Sequence, residues 1–92
     1  AETLRLVREG MKEACSPGGT AFPFFDFTPA VACKTGTAEF GDPQNRTHAW
    51  LTAFAPADDP EIVVTVLVEA GGEGSSVAAP IARKVLEEWF KE

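Results

Sequence analysis

The segment Ile62-Val63-Val64-Thr65-Val66-Leu67-Val68 is apolar at every position except Thr65, so both faces of a strand built from it are apolar. An antiparallel strand with one wet face would instead alternate apolar and polar residues. This segment therefore needs cover on both sides, from helices or from other chain, and is expected at the centre of its sheet. A membrane-crossing helix needs about 20 apolar residues, far more than this run offers, so the cover has to be protein.

The remaining segments supply candidates for it. Over residues 2–15, Leu4, Val7, Met11, Ala14 and Cys15 share one helical face, with Arg5, Arg8, Glu9, Lys12 and Glu13 opposite. This predicts an amphipathic helix with one buried side, stopped by Ser16-Pro17-Gly18-Gly19. A Phe-rich connector, Phe22 to Phe27, leads to a strand over 31–40 and a polar loop, Gly41 to Arg46. Strands over 48–55 and 61–69, joined by Pro56-Ala57-Asp58-Asp59-Pro60, form an antiparallel hairpin. After Gly71-Gly72-Glu73-Gly74, Ser75 or Ser76 can cap a last helix over 76–91. There Ala78, Ile81, Ala82, Val85, Leu86, Trp89 and Phe90 form an unusually broad apolar arc, as for a helix lying flat on a sheet. The expected architecture is one α+β unit, a three-stranded antiparallel sheet flanked by an N-terminal and a C-terminal helix.

Charge and cysteine content exclude several functions. Fourteen acidic against eight basic residues give a net charge of −6, which leaves no basic field for a nucleic acid. A single His48 and two cysteines without Cys-x-x-Cys spacing supply too few ligands for a zinc site, so no metal or cofactor is expected. Cys15 and Cys33 read as two buried free thiols, with a disulfide as the alternative in an oxidising compartment.

Within the first strand stands Lys34-Thr35-Gly36-Thr37. Alone, the Lys reads as an edge-strand guard against aggregation. Its surroundings change that reading. The stretches are Cys33-Lys34-Thr35-Gly36-Thr37-Ala38-Glu39-Phe40, then Trp50-Leu51-Thr52-Ala53-Phe54-Ala55-Pro56, then Ile62 to Glu69 with Gly71-Gly72, then Ser76-Val77-Ala78-Ala79-Pro80-Ile81-Ala82. In this order, after Leu6-Val7-Arg8-Glu9-Gly10-Met11 and Gly18 to Ala21, they resemble the C-terminal end of the transpeptidase domain of class B penicillin-binding proteins, the bacterial enzymes that cross-link peptidoglycan. The resemblance covers nearly the whole chain, and Lys-Thr-Gly is the third of that family's three motifs.

The resemblance implies attack by an active-site serine on a D-alanyl-D-alanine stem peptide, acyl transfer to a neighbouring stem peptide, and inhibition by β-lactams that leave a stable acyl-enzyme. It assigns Lys34 a cation near the substrate carboxylate and the relay serine, and Thr35 and Thr37 hydroxyls that donate to the same carboxylate. Gly36 becomes a point of close backbone approach, and the Thr37 N–H one of two oxyanion donors. The strand's free edge would take a peptide as an added strand.

The family's other motifs, Ser-x-x-Lys and Ser-x-Asn, are missing: Ser16, Ser75 and Ser76 are the only serines, and none has the required Lys or Asn. The expectation is a fragment of the penicillin-binding-protein/serine β-lactamase-like fold, inactive alone. Its partner is the rest of the transpeptidase domain, and the segment itself makes no membrane contact. The parent would act outside the cytoplasmic membrane, anchored by an upstream segment. Two alternatives are a non-catalytic ligand- or partner-binding module and a serine β-lactamase or β-lactam sensor. Ala38-Glu39 and Ala53-Phe54-Ala55-Pro56 favour the transpeptidase. Glu39 reads as a solvated rim carboxylate, His48 as structural, Asp58 and Asp59 as turn residues that stabilise the backbone locally, and Trp50, Trp89 and the Phe residues as core.

Overall fold

A computed structural model describes residues 2–16, 19 and 21–91, Phe22 by its backbone alone; Pro17, Gly18 and Thr20 of the expected helix stop and connector lie outside the described residues. Helix α1 is Glu2–Ala14, β1 Ala32–Glu39, β2 Thr47–Ala55, β3 Ile62–Val68 and α2 Ala79–Trp89. A short 3-10 turn, Phe22–Phe24, precedes β1, and a π-helical turn, Gly74–Ala78, runs directly into α2. The sheet is antiparallel in the order β1-β2-β3. The expected α+β class, element order and hairpin are all present.

Register explains where the core sits. Ala49, Leu51, Ala53 and Ala55 of β2 pair with Val68, Val66, Val64 and Ile62 of β3, and Leu51 and Ala53 also pair with Thr35 and Cys33 of β1. These side chains share one face. Three alanines around Leu51 leave room for helical backbone to come close, and α2 fills it with Ala79, Ala82 and Leu86, all buried. Burying a side chain the size of Leu86 contributes about 1.5–3 kcal/mol. Arg83 ties the same helix to the Phe-rich connector: its guanidinium donates to the Pro23 carbonyl and to Asp26 (2.7 Å) and lies 5.2 Å from the Phe27 ring centroid. That cation holds the Asp26 carboxyl below the usual carboxylate range.

Several expectations need correction. β3 is not central: β2 is, and β3 forms an edge among the described residues. Its Ile62, Val64 and Val66 pack on the core, but Val63 is 64% and Leu67 43% exposed on the other face. The strand is built for two layers, and these residues supply one. α1 buries only its end: Leu4 and Val7 are exposed, Met11 and Ala14 are half-buried, and only Cys15 just beyond it is buried. The arc of α2 is likewise only partly used, since Ile81, Val85 and Trp89 are exposed. Trp50 and Phe40 are also exposed rather than core, whereas Phe24 is buried. Neither serine caps α2; the helix is entered through the π turn, whose start, Glu73, makes no side-chain cap.

The cysteines are not free thiols. Cys15 and Cys33 are joined, with Cα atoms 6.0 Å apart, which sews the end of α1 to β1. Their sequence separation of 18 allowed a bridge without requiring one, and only the packing of α1 against β1 brings the two Cβ atoms face to face. Closing a loop of this length stabilises the fold by roughly 3 kcal/mol in the chain-entropy picture.

The open face carries Trp50, Val63 and Leu67 side by side, because Trp50 pairs with Leu67 and Phe54 with Val63. An apolar patch of this kind drives association. The 92-residue chain is expected to self-associate as its concentration rises, read as a mass increase in light scattering. A strictly monomeric, highly soluble species would contradict this. Among the described residues no helix is long and apolar enough to cross a membrane.

Candidate functional site

Three observations fix which backbone groups of β1 are free. The carbonyls of Thr47 and Ala55 accept from Gly72 (3.1 Å) and Glu61 (2.9 Å), on the β3 side, so the odd residues of β2 turn their backbone groups that way. The register from Thr47 to Ala55 has no bulge, so the even residues turn toward β1, opposite Ala32, Lys34, Gly36 and Ala38. A Cβ added to Gly74 would lie 2.2 Å from the Trp50 oxygen and 3.0 Å from the Gly36 nitrogen, in keeping with an oxygen that faces β1. The N–H and C=O groups of Cys33, Thr35, Thr37 and Glu39 therefore face away from β2, along an edge that no described strand covers.

Side chains divide by the same parity. Lys34 and Gly36 lie on the open face, beside Thr52 and Trp50; Thr35 and Thr37 lie on the helix-covered face, beside Leu51 and Ala49. Lys34 is exposed and curls around the edge, its Nζ donating to the Thr35 carbonyl at 2.7 Å. One ammonium and the outward Thr37 N–H thus meet at one strip of edge, and Lys34 is the only cation in β1. Gly36 is constrained from the open face: a Cβ there would sit 3.3 Å from that of Trp50. The four residues expected to form the site, Lys34, Thr35, Gly36 and Thr37, are therefore adjacent, with ammonium, hydroxyls and free amide accessible from the edge.

The ends of this edge strand are pinned. At one end stands the Cys15–Cys33 bridge. At the other, the 41–46 loop is closed by Asp42, which accepts from the Arg46 backbone N–H (3.0 Å), Nε (2.6 Å) and Nη2 (3.0 Å). The Arg46 hydrogen bond holds the Asp42 carboxyl below the usual carboxylate range. His48 is structural, as expected: its Nδ1 accepts from the Ala70 N–H (2.9 Å), and its ring stacks on Phe40 with centroids 4.0 Å apart. Asp58 accepts from Lys12 (3.2 Å) and stays in its turn, while Glu39 is solvent-exposed. Two residues escaped the sequence reading. Trp50 stands beside Gly36, a place legible only once register is known. Gly74 lies against the backbone of Gly36, and no local signal distinguishes it from its neighbouring glycines.

Residues 1–87 match the family described as "Penicillin binding protein transpeptidase domain". The chain is 51% identical over 69 residues to the peptidoglycan D,D-transpeptidase PbpA of Mycolicibacterium smegmatis, covering 67% of this chain and 14% of that protein. Among solved structures, Pseudomonas aeruginosa PBP2 superposes with a TM-score of 0.80 at 35% identity, over 96% of this chain and 19% of the other. The penicillin G acyl-enzyme complex of penicillin-binding protein A from M. tuberculosis superposes with a TM-score of 0.75 at 37% identity, over 98% and 21%.

Proposed function

The chain belongs to the penicillin binding protein transpeptidase domain family, and on that premise we propose that it forms the substrate-edge portion of a D,D-transpeptidase. In this reading it works within a longer protein that cross-links peptidoglycan stem peptides through an acyl-serine intermediate. The carrying observation is the outward Thr37 N–H, on a free strand edge shared with the Lys34 ammonium.

The chemistry follows from that edge. A stem peptide ending in D-alanyl-D-alanine lies along β1 as an added strand. Its terminal carboxylate is met by the Lys34 ammonium, a charge-assisted hydrogen bond, and by the hydroxyls of Thr35 and Thr37. Lys34 also favours a hydrogen-bonding proton on a relay serine supplied from elsewhere in the protein. Gly36, with no side chain, leaves the peptide free to approach. As the nucleophilic serine attacks the scissile carbonyl, the oxygen gains negative charge, and the fixed Thr37 N–H stabilises it with no reorganisation. The C–N bond to the last D-alanine breaks, that amine leaves with a proton, and the acyl group passes to a second stem peptide's amine. A β-lactam enters by the same route, but its cleaved amide stays tethered.

The nucleophile comes from outside this chain, because none of its three serines has a lysine three residues on. The reaction takes place outside the cytoplasmic membrane, with an anchor in another part of the protein. The Cys15–Cys33 bridge supports that compartment, since disulfides persist where thiols are oxidised.

Fluorescent penicillin tests the proposal. The full-length protein that contains these residues is expected to take a covalent label, and the isolated 92-residue chain none. Label on the short chain, or none on the long one, refutes it.

A further inference from the structure

We propose that Gly74 is a positioning residue for the transfer reaction: it seats the π turn directly on the hydrogen-bonded Gly36–Trp50 pair and thereby fixes the strand that presents Thr37. This rests on the transpeptidase reading above and adds a residue outside the Lys-Thr-Gly strand.

The backbone parity makes Gly36 and Trp50 a pair that exchanges both hydrogen bonds, the last such pair before Thr37. The Trp50 side chain points to the open face and Gly36 has none, which leaves a bare patch of backbone on the other face. Gly74 is buried against that patch: a Cβ on it would fall 2.2 Å from the Trp50 oxygen and 3.0 Å from both the nitrogen and the oxygen of Gly36. All three are backbone atoms of a paired ladder, so none can swing aside as a side chain would. Only glycine fits without moving β1 relative to β2.

The segment around Gly74 is shaped to hold it there. Its carbonyl accepts from the Ala79 N–H, five residues on, in a π turn rather than an α turn. Single π turns within helices are rare and concentrate at functional sites. Just before it, the loop is tied to the start of β2 by three hydrogen bonds: Gly72 N–H to the Thr47 carbonyl (3.1 Å), Thr47 Oγ1–H to the Gly72 carbonyl (3.0 Å) and Ala70 N–H to His48 Nδ1 (2.9 Å). Gly74 is thus pressed onto the ladder from a loop clamped on one side and a helix on the other. The amide it backs is the neighbour of the one that must meet a developing oxyanion, where displacement by about 1 Å costs up to roughly 100-fold.

The test uses the full-length protein and penicillin. Each variant's active sites are counted by titration, so that loss of folded protein is separated from loss of rate. Gly74→Ala is expected to slow acylation at saturating penicillin about tenfold per active site, with noncovalent affinity within about twofold of wild type. Amide exchange at Gly36 should accelerate by a similar factor. Leu86→Ala, in the same helix but away from Gly36, should lower thermal stability and leave the rate per active site unchanged. Should Gly74→Ala fail to fold, Thr47→Val removes the clamp's hydroxyl without adding bulk, with about a threefold slower acylation and faster Gly36 exchange expected. A folded Gly74→Ala that acylates at the wild-type rate, or a Leu86→Ala that slows acylation equally, overturns the positioning role. If wild type takes no label, the transpeptidase reading falls instead, and Gly36 exchange alone decides whether Gly74 holds the ladder.

Discussion

Replacing Lys34 by alanine is expected to slow acylation of the full-length protein by penicillin by about 10- to 150-fold. The figure comes from the loss of one charge-assisted hydrogen bond, about 1.5–3 kcal/mol, each 1.4 kcal/mol being about a factor of ten. Because Lys34 is exposed and, among the described residues, its ammonium bonds only the neighbouring Thr35 carbonyl, the fold gains little from it. Exposed substitutions of this sort change stability by no more than about 0.5 kcal/mol. The loss should therefore appear in the second-order acylation constant, with the melting temperature nearly unmoved. Lys34→Arg should recover only part of the rate, since a planar guanidinium cannot place a single point charge where the ammonium sits. An alanine variant within about twofold of the wild-type constant would remove Lys34 from the site.

Much of this edge is legible in the sequence. Lys34 to Thr37 lie in a strand because Gly41 to Arg46 cannot continue it, and the order of helix, strand, hairpin and helix follows from turn residues and periodicity. What sequence could not supply was neighbours. The apolar run Ile62–Val68 has the pattern of a strand covered on both faces, yet among the described residues only one face is covered and the strand lies at an edge, so pattern alone does not give its place in the sheet. The same holds for Leu4 and Val7, which carry an amphipathic pattern with nothing opposite. The chain spans only 13–21% of the length of the relatives it matches. The Cys15–Cys33 bridge depends on how α1 crosses β1, a tertiary fact no spacing encodes. Residue type alone suggests core for Trp50, whereas strand parity puts it on the open face, and Gly74 is special only because of the backbone it touches.

Thr37 separates side-chain from backbone roles, and its variants carry the largest expected effect. Thr37→Ala deletes a hydroxyl and keeps the N–H, so it should cost less than Lys34→Ala. Thr37→Pro deletes the N–H itself, and loss of one oxyanion donor slows the chemical step by about 100- to 1000-fold. Parity makes that variant informative. The Thr37 N–H faces away from β2, so proline there removes no ladder hydrogen bond, and an edge strand is where a sheet tolerates it. Proline's fixed φ strains the strand somewhat, which is why circular dichroism and noncovalent β-lactam affinity must accompany the rates. The acylation rates should rank Thr37→Ala fastest, Lys34→Ala intermediate and Thr37→Pro slowest. The effect of proline should lie in the rate at saturating penicillin rather than in affinity, because the donor matters only once negative charge develops on the carbonyl oxygen. A folded Thr37→Pro enzyme that acylates as fast as Thr37→Ala would show that this amide is not the oxyanion donor.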